Sequence, residues 1–190
     1  MLLVAEYYFD METLGKNPKI HKIVTIQFQK LDTETGKPLN ELRVLQEWKS
    51  SEENILKEFL AISKFDSKDT REAEWNFVPI GENLIGFDLL FIRERLNQVL
   101  GVKLPLDWLV RRKAYLDIKP ILVVWNKGYF RNFGLTKFTP YSGNMVPRWY
   151  EEKEFQKIVD YVKCEAETFI KAYQRFKAEI PKIKLGIASV

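Results

Sequence analysis

Two carboxylates, Asp10 and Glu12, close an apolar run, "LLVAEYYF", near the start of the chain. Side chains at i and i+2 of a strand leave the same face, so these two would point together. The Leu14–Gly15 pair that follows lets the chain turn away. By themselves, such acids fit a solvated strand end as well as a built site. A third carboxylate, Asp88, lies in "GENLIGFDLLFIRERL", in the first turn of a helix whose apolar residues are Phe87, Leu90, Phe91 and Leu96. An Asp there serves equally as a cap or as a complement to the helix dipole. A fourth, Glu165, follows Tyr161 by one helical turn in "FQKIVDYVKCEAETFIKAY", so hydroxyl and carboxylate share a face. Ile158, Val162, Ala166, Phe169 and Tyr173 make the apolar stripe of that helix. A half-buried Tyr with an exposed Glu one turn on would read the same way.

Collected, the four carboxylates suit one chemistry. Two divalent cations about 3.5–4 Å apart clamp both the attacking and the leaving oxygen of an in-line phosphoryl displacement. Hard cations such as Mg²⁺ or Mn²⁺ need several carboxylates and keep water and phosphate as their remaining ligands. A strand offering two acids, with one more from each of two helices, builds such a cage. A tyrosine hydroxyl beside it could orient the nucleophilic water.

The elements that must hold these residues follow from periodicity. In "KIVTIQFQKLD", Ile23, Thr25, Gln27 and Gln29 alternate with Val24, Ile26 and Phe28, the period-two pattern of a strand. "TETGKP" supplies turn residues, and "ELRVLQEWK" a third strand, so residues 2–49 read as an antiparallel meander. Ser50 or Ser51 caps a helix with Glu53 completing a capping box, and Ile55, Leu56, Phe59, Leu60 and Ile62 form its buried face. "DSKDTREAEW" reads as a charged loop, "NFVPIGEN" as a short strand, and Gly101 as the C-terminal cap of the Asp88 helix. "AYLDIKPILVVW" (114–125) reads as another strand, followed by a Gly- and aromatic-rich stretch and one long helix over residues 151–177. The sum is an α/β domain with a central mixed five-stranded sheet, its first three strands antiparallel, flanked by helices.

The chain of 190 residues is long enough for one domain with a sizeable core, read as spanning 1–190. It carries no apolar run of about 18 residues and no basic-then-apolar N-terminal signal, which argues against a membrane span and against secretion. A single cysteine, Cys164, leaves no intramolecular disulfide and no Cys-based zinc site, and makes a cytoplasmic location the default. A net charge of +4 is compatible with a phosphate-bearing partner without demanding one.

In this order the motifs resemble those of the DnaQ-like 3′–5′ exonucleases, on the ribonuclease H-like fold. Within them they resemble the tyrosine subclass found in the proofreading domain of family-B DNA polymerases. "FDMETLG" is similar to the first motif, Phe-Asp-x-Glu-Thr-x-Gly; "NLIGFD" to the second, Asn-x-x-x-Phe-Asp; "YVKCE" to the third, Tyr-x-x-x-Asp. The resemblance spans residues 2–176. It implies that Asp10, Glu12, Asp88 and Glu165 ligate two divalent cations, Mg²⁺ or Mn²⁺, and that Tyr161 orients the water. It also implies that Thr13, Leu14 and Asn83 lie near the terminal nucleotide. The third motif departs from the pattern, since Glu165 stands where the family has Asp; Asp160 is nearby but on another face of the helix. The only histidine, His21, is far from that motif, which excludes the histidine subclass.

Basic residues, Arg111, Arg112, Lys113, Lys127, Arg131, Lys137 and Arg148, interleave with aromatics such as Tyr115, Trp125, Tyr129, Phe130, Tyr141 and Trp149. Such a mixture suits a single strand held by stacking and phosphate contacts. The expected function is therefore a metal-dependent 3′–5′ exonuclease that releases nucleoside 5′-monophosphates from single-stranded DNA or RNA. The alternative is a weakly active or inactive module that keeps the fold and binds nucleic acid. The sequence leaves open the nucleic acid, the pathway, the oligomeric state and any protein partner.

Overall fold

The computed structural model describes residues 4–125, 127 and 142–179. Three strands come first: β1 (Glu6–Thr13), β2 (Ile23–Leu31) and β3 (Arg43–Gln46). β4 (Val78–Gly81) and the two-residue β5 (Leu116–Asp117) complete a sheet in the order β3-β2-β1-β4-β5. β1 pairs antiparallel with β2 and β2 with β3, whereas β4 runs parallel to both β1 and β5. This is the expected mixed five-stranded sheet with an antiparallel start.

β1 lies at the centre and has two unlike faces. Tyr7, Phe9 and Met11 pack toward α1 (Glu52–Ser63) and α3 (Leu89–Leu100), in a cluster with Phe59, Phe77 and Leu96. Tyr7 stacks on Phe77 with ring centroids 4.3 Å apart. The opposite face carries Tyr8, Asp10 and Glu12, and is covered by α6 (Phe155–Glu179). The β1–β2 register shifts between Glu12 and Thr13, with Val24 as the additional residue. Ile23 therefore joins the Phe59 cluster while Val24 packs with Tyr161 and Val162. The strict alternation read along β2 breaks at that point, as a bulge requires.

Several boundaries differ from the sequence reading. Ser51 caps α1 through the Asn54 amide, and Glu53 pairs with Lys57 instead of closing a capping box. The charged segment read as loop contains α2 (Thr70–Trp75), because the Asp69 carboxylate accepts from the Arg71 and Glu72 amides. The 114–125 strand is only Leu116–Asp117; α4 (Lys119–Trp125) follows at once. Asp117 accepts from the Lys119 amide, and Pro120 suits a first helical turn, where its missing N–H is no loss. Lys113, read as part of a basic nucleic-acid surface, is instead 3 % exposed, its ammonium donating to the Glu74 and Phe77 carbonyls. Arg111, Arg112 and Arg148 are exposed but engage Asp107, Glu74 and Glu152. The long helix read over residues 151–177 is α6, which starts at Phe155; a separate short helix, α5 (Val146–Glu151), precedes it across a left-handed Lys153. Most of the Gly- and aromatic-rich stretch, including Tyr129, Phe130, Arg131, Lys137 and Tyr141, lies outside the described residues.

Candidate active site

The end of β1 meets α6 where Asp10, Glu12 and Glu165 each bring a carboxylate oxygen within 4.8 Å of the other two. The i, i+2 spacing on a strand and the i, i+4 spacing on a helix converge as the residue types suggested. Among the described residues, Glu165 Oε2 is buried with no hydrogen-bond partner. An orphaned carboxylate oxygen at the meeting point of three acids is an arrangement that a cation would relieve. The donors are all hard oxygens, a set that suits a hard divalent cation. Asp160, the other acid of that helix segment, is exposed and bonded by Gln156.

Asp88 sits outside that trio. It is 3 % exposed, at the end of a π-helical turn (Leu84–Asp88) that runs into α3. Its carboxyl is pushed well above the usual range, first by burial, then by Asp10. Glu12 is raised likewise, by burial and then by Asp10, Glu165 and Asp88. Asp10 is pushed up to about 6 by burial, against the opposing hydrogen bond from Gln27. Glu165 is pushed up to about 8 by burial and by Asp10. Among the described residues, no positive charge offsets the burial and mutual repulsion of these four acids.

Tyr161 is 2 % exposed, and burial, then Glu12 and Glu165, push its hydroxyl far above its ordinary value. The phenol therefore stays protonated at neutral pH. Gly143, in a 3₁₀ turn (Gly143–Met145), closes over it: a Cβ there would lie 3.1 Å from the Tyr161 hydroxyl and 3.4 Å from Glu12 Oε2.

Of the residues expected near a nucleotide, Thr13 donates its hydroxyl to the Gly15 carbonyl, and Leu14 packs against the Val146–Trp149–Tyr161 cluster. Asn83 has a left-handed backbone at φ 65 and leads the π-helical turn. Sequence reasoning missed the supports beneath these groups. Gln27, fully buried and paired across the ladder with Asp10, donates to Asp10 Oδ2 at 2.8 Å and accepts from Thr25. Tyr8 also donates to Asp10, at 3.4 Å. Glu82 adds repulsion at Asp10 and Glu165, and Asp117 at Asp88. The alternating Thr25 and Gln27 were visible, but only the β1–β2 register shows that they face Asp10.

No protein-family model and no curated protein sequence matches this chain. Among solved structures, it is similar to a zinc-bound complex of Escherichia coli exonuclease I with single-stranded DNA. The TM-score is 0.61 at 13% identity, over 94% of this chain and 42% of that one. The same enzyme with a dT13 oligonucleotide matches at TM-score 0.55 and 16% identity, over 95% and 42% of the two chains. The family-B DNA polymerase of Pyrobaculum calidifontis matches at TM-score 0.59 and 17% identity, over 90% of this chain and 24% of the polymerase. This chain spans less than half the length of each. The α/β architecture is thus a ribonuclease H-like fold.

Proposed function

We propose that this chain hydrolyses the terminal phosphodiester at the 3′ end of a single-stranded nucleic acid, DNA or RNA, with the help of divalent cations. The observation that carries the reading is the Asp10–Glu12–Glu165 trio, with its orphaned buried oxygen, on an exonuclease fold. Asp10, Glu12, Asp88 and Glu165 would hold Mg²⁺ or Mn²⁺. When bound, such cations supply Lewis acidity and offset the negative charge that builds on a phosphodiester during hydrolysis. Gln27 and Tyr8 fix the Asp10 carboxylate through hydrogen bonds to Oδ2. Tyr161, protonated at working pH, hydrogen-bonds a water through its hydroxyl and orients it; it does not act as a base. Thr13, Leu14 and Asn83 would flank the terminal nucleotide.

Release of nucleoside 5′-monophosphates from a 3′-labelled single strand in Mg²⁺ or Mn²⁺ tests the reading. Asp10→Ala should abolish it. Absence of turnover in either metal, or full activity in that variant, would sink the proposal. A second reading, binding without turnover, draws on one observation: Asp88 stands apart from the trio. It predicts salt-dependent binding of single strands with no metal-dependent product.

A further inference from the structure

Asn83, the residue at the head of the π-helical turn, is fixed in three independent ways. Its amide nitrogen donates to Asp117 Oδ1 at 2.9 Å, and the same carboxylate accepts from Ile85 and Lys119 amides at 3.2 and 3.0 Å. Asp117 thus ties the loop after β4 to the start of α4. The Asn83 side-chain oxygen accepts from Lys119 Nζ at 2.6 Å. That oxygen also lies over Gly86, where an added Cβ would clash with it. The left-handed backbone, φ 65, is one that Asn tolerates and most residues avoid.

An ammonium has only donors, so the group it meets must be the carboxamide oxygen. The two ends of a primary amide differ in role: turning the oxygen to Lys119 leaves the NH₂ as the presented end. Among the described residues, no group accepts from Asn83 Nδ2. We propose that Lys119 is a positioning residue that fixes the Asn83 carboxamide as a hydrogen-bond donor, so that Asn83 takes the terminal nucleotide through an acceptor oxygen or ring nitrogen. The inference rests on the proposed function of this site and deepens it. Lys119 acts through Asn83 and does not itself neutralise a phosphate.

A double-mutant cycle, read as binding of a fluorescent oligothymidylate by anisotropy in chelator, separates the two roles. Asn83→Gly removes the amide while accepting the positive φ without strain. Lys119→Met removes the ammonium and keeps the stem. Each single variant should weaken binding by about tenfold, and the double variant by no more than either single one. Lys119→Arg, which still donates and cannot accept, should bind within about threefold of the wild type. The salt slope of log K should be unchanged in Lys119→Met. A fall of about one in that slope, additive losses in the cycle, or full binding by Lys119→Met overturns the inference while leaving the proposed function intact. A wild-type chain that neither binds nor cleaves single strands overturns both.

Discussion

Replacing Glu165 by Gln should stabilise the metal-free protein at about pH 8, although Glu165 is the residue proposed to complete the cation site. Burial and Asp10 move this carboxyl from 4.5 up to about 8. The folded state therefore holds the Glu165 proton more tightly than the unfolded chain does. Stability from this group is full below about pH 4.5 and is lost as pH rises through about 8. At roughly 1.4 kcal/mol per tenfold change, the ceiling on the loss is about 4–5 kcal/mol near pH 8. Asp10 shares the same repulsion, so about 2 kcal/mol is the expected gain for the isosteric amide, or ~4–8 °C in Tm for a chain of this size. Near pH 5 the wild-type carboxyl is protonated and the two proteins should melt together. Mg²⁺ or Mn²⁺ should reverse the order at about pH 8: a cation at a hundred times its Kd adds about 2.7 kcal/mol to the wild type and little to the variant. Thermal melts at both pH values, in chelator and in metal, provide the measurement. A variant less stable than wild type at high pH in chelator, or a difference indifferent to pH, would refute the reasoning.

Gly143→Ala places a methyl 3.1 Å from the Tyr161 hydroxyl; kcat should fall about tenfold or more, since sub-ångström misplacement is costly in such sites, with Tm moved by only a few degrees. Arg95→Leu breaks a largely buried bidentate pair with Glu52 and frees the Pro18 carbonyl. Urea unfolding should show a loss of about 3 kcal/mol. Lys113→Met leaves the Glu74 and Phe77 carbonyls without their donor, costing about 1–3 kcal/mol. Burial holds that ammonium down to about 7, so the unfolded chain binds its proton more tightly and wild-type stability should rise from about pH 7 to pH 10. Unfolding curves across that range should lose this rise in the Met variant.

What the sequence showed was periodic, and what it hid was cross-strand. The two carboxylates of β1, and the Tyr161–Glu165 turn of α6, follow from spacing within one element, as does the choice of Glu165 over Asp160. The core stripes of α1 and α6 are legible for the same reason: Ile55, Leu56, Phe59 and Leu60, then Ile158, Val162, Ala166, Phe169 and Tyr173, are all buried. The Asp10–Gln27 pair depends on register, and the bonds from Asn83 and Ile85 to Asp117 cross from one loop to another, so neither has a local signature. Gly143 is recognisable only once the Tyr161 hydroxyl is in place above it. In α4, "ILVVW" is apolar enough for a strand; the Asp117 carboxylate that accepts from the Lys119 amide, and Pro120 in the first turn, are the local features that favour a helix instead. Lys113 misled in the opposite sense, a cation that composition assigns to the surface but that packing turns inward over Phe65.

The two-faced β1 also bears on how the chain reaches its native state. A strand displaced by a single position would exchange its faces. Asp10 and Glu12 would enter the aromatic cluster of Phe59 and Phe77, and Phe9 and Met11 would stand against α6. That cluster is built of aromatic and aliphatic side chains, and the Lys113 ammonium over Phe65 is already held by the Glu74 and Phe77 carbonyls, so the misaligned pairing would put two carboxyls into an apolar interior. On the partner strand, the bulge at Val24 pins the register at that end of the pairing. Asp10 and Glu12 thus serve a second role before any ligand arrives: they mark the alignment of the central strand and penalise every odd-numbered error in it.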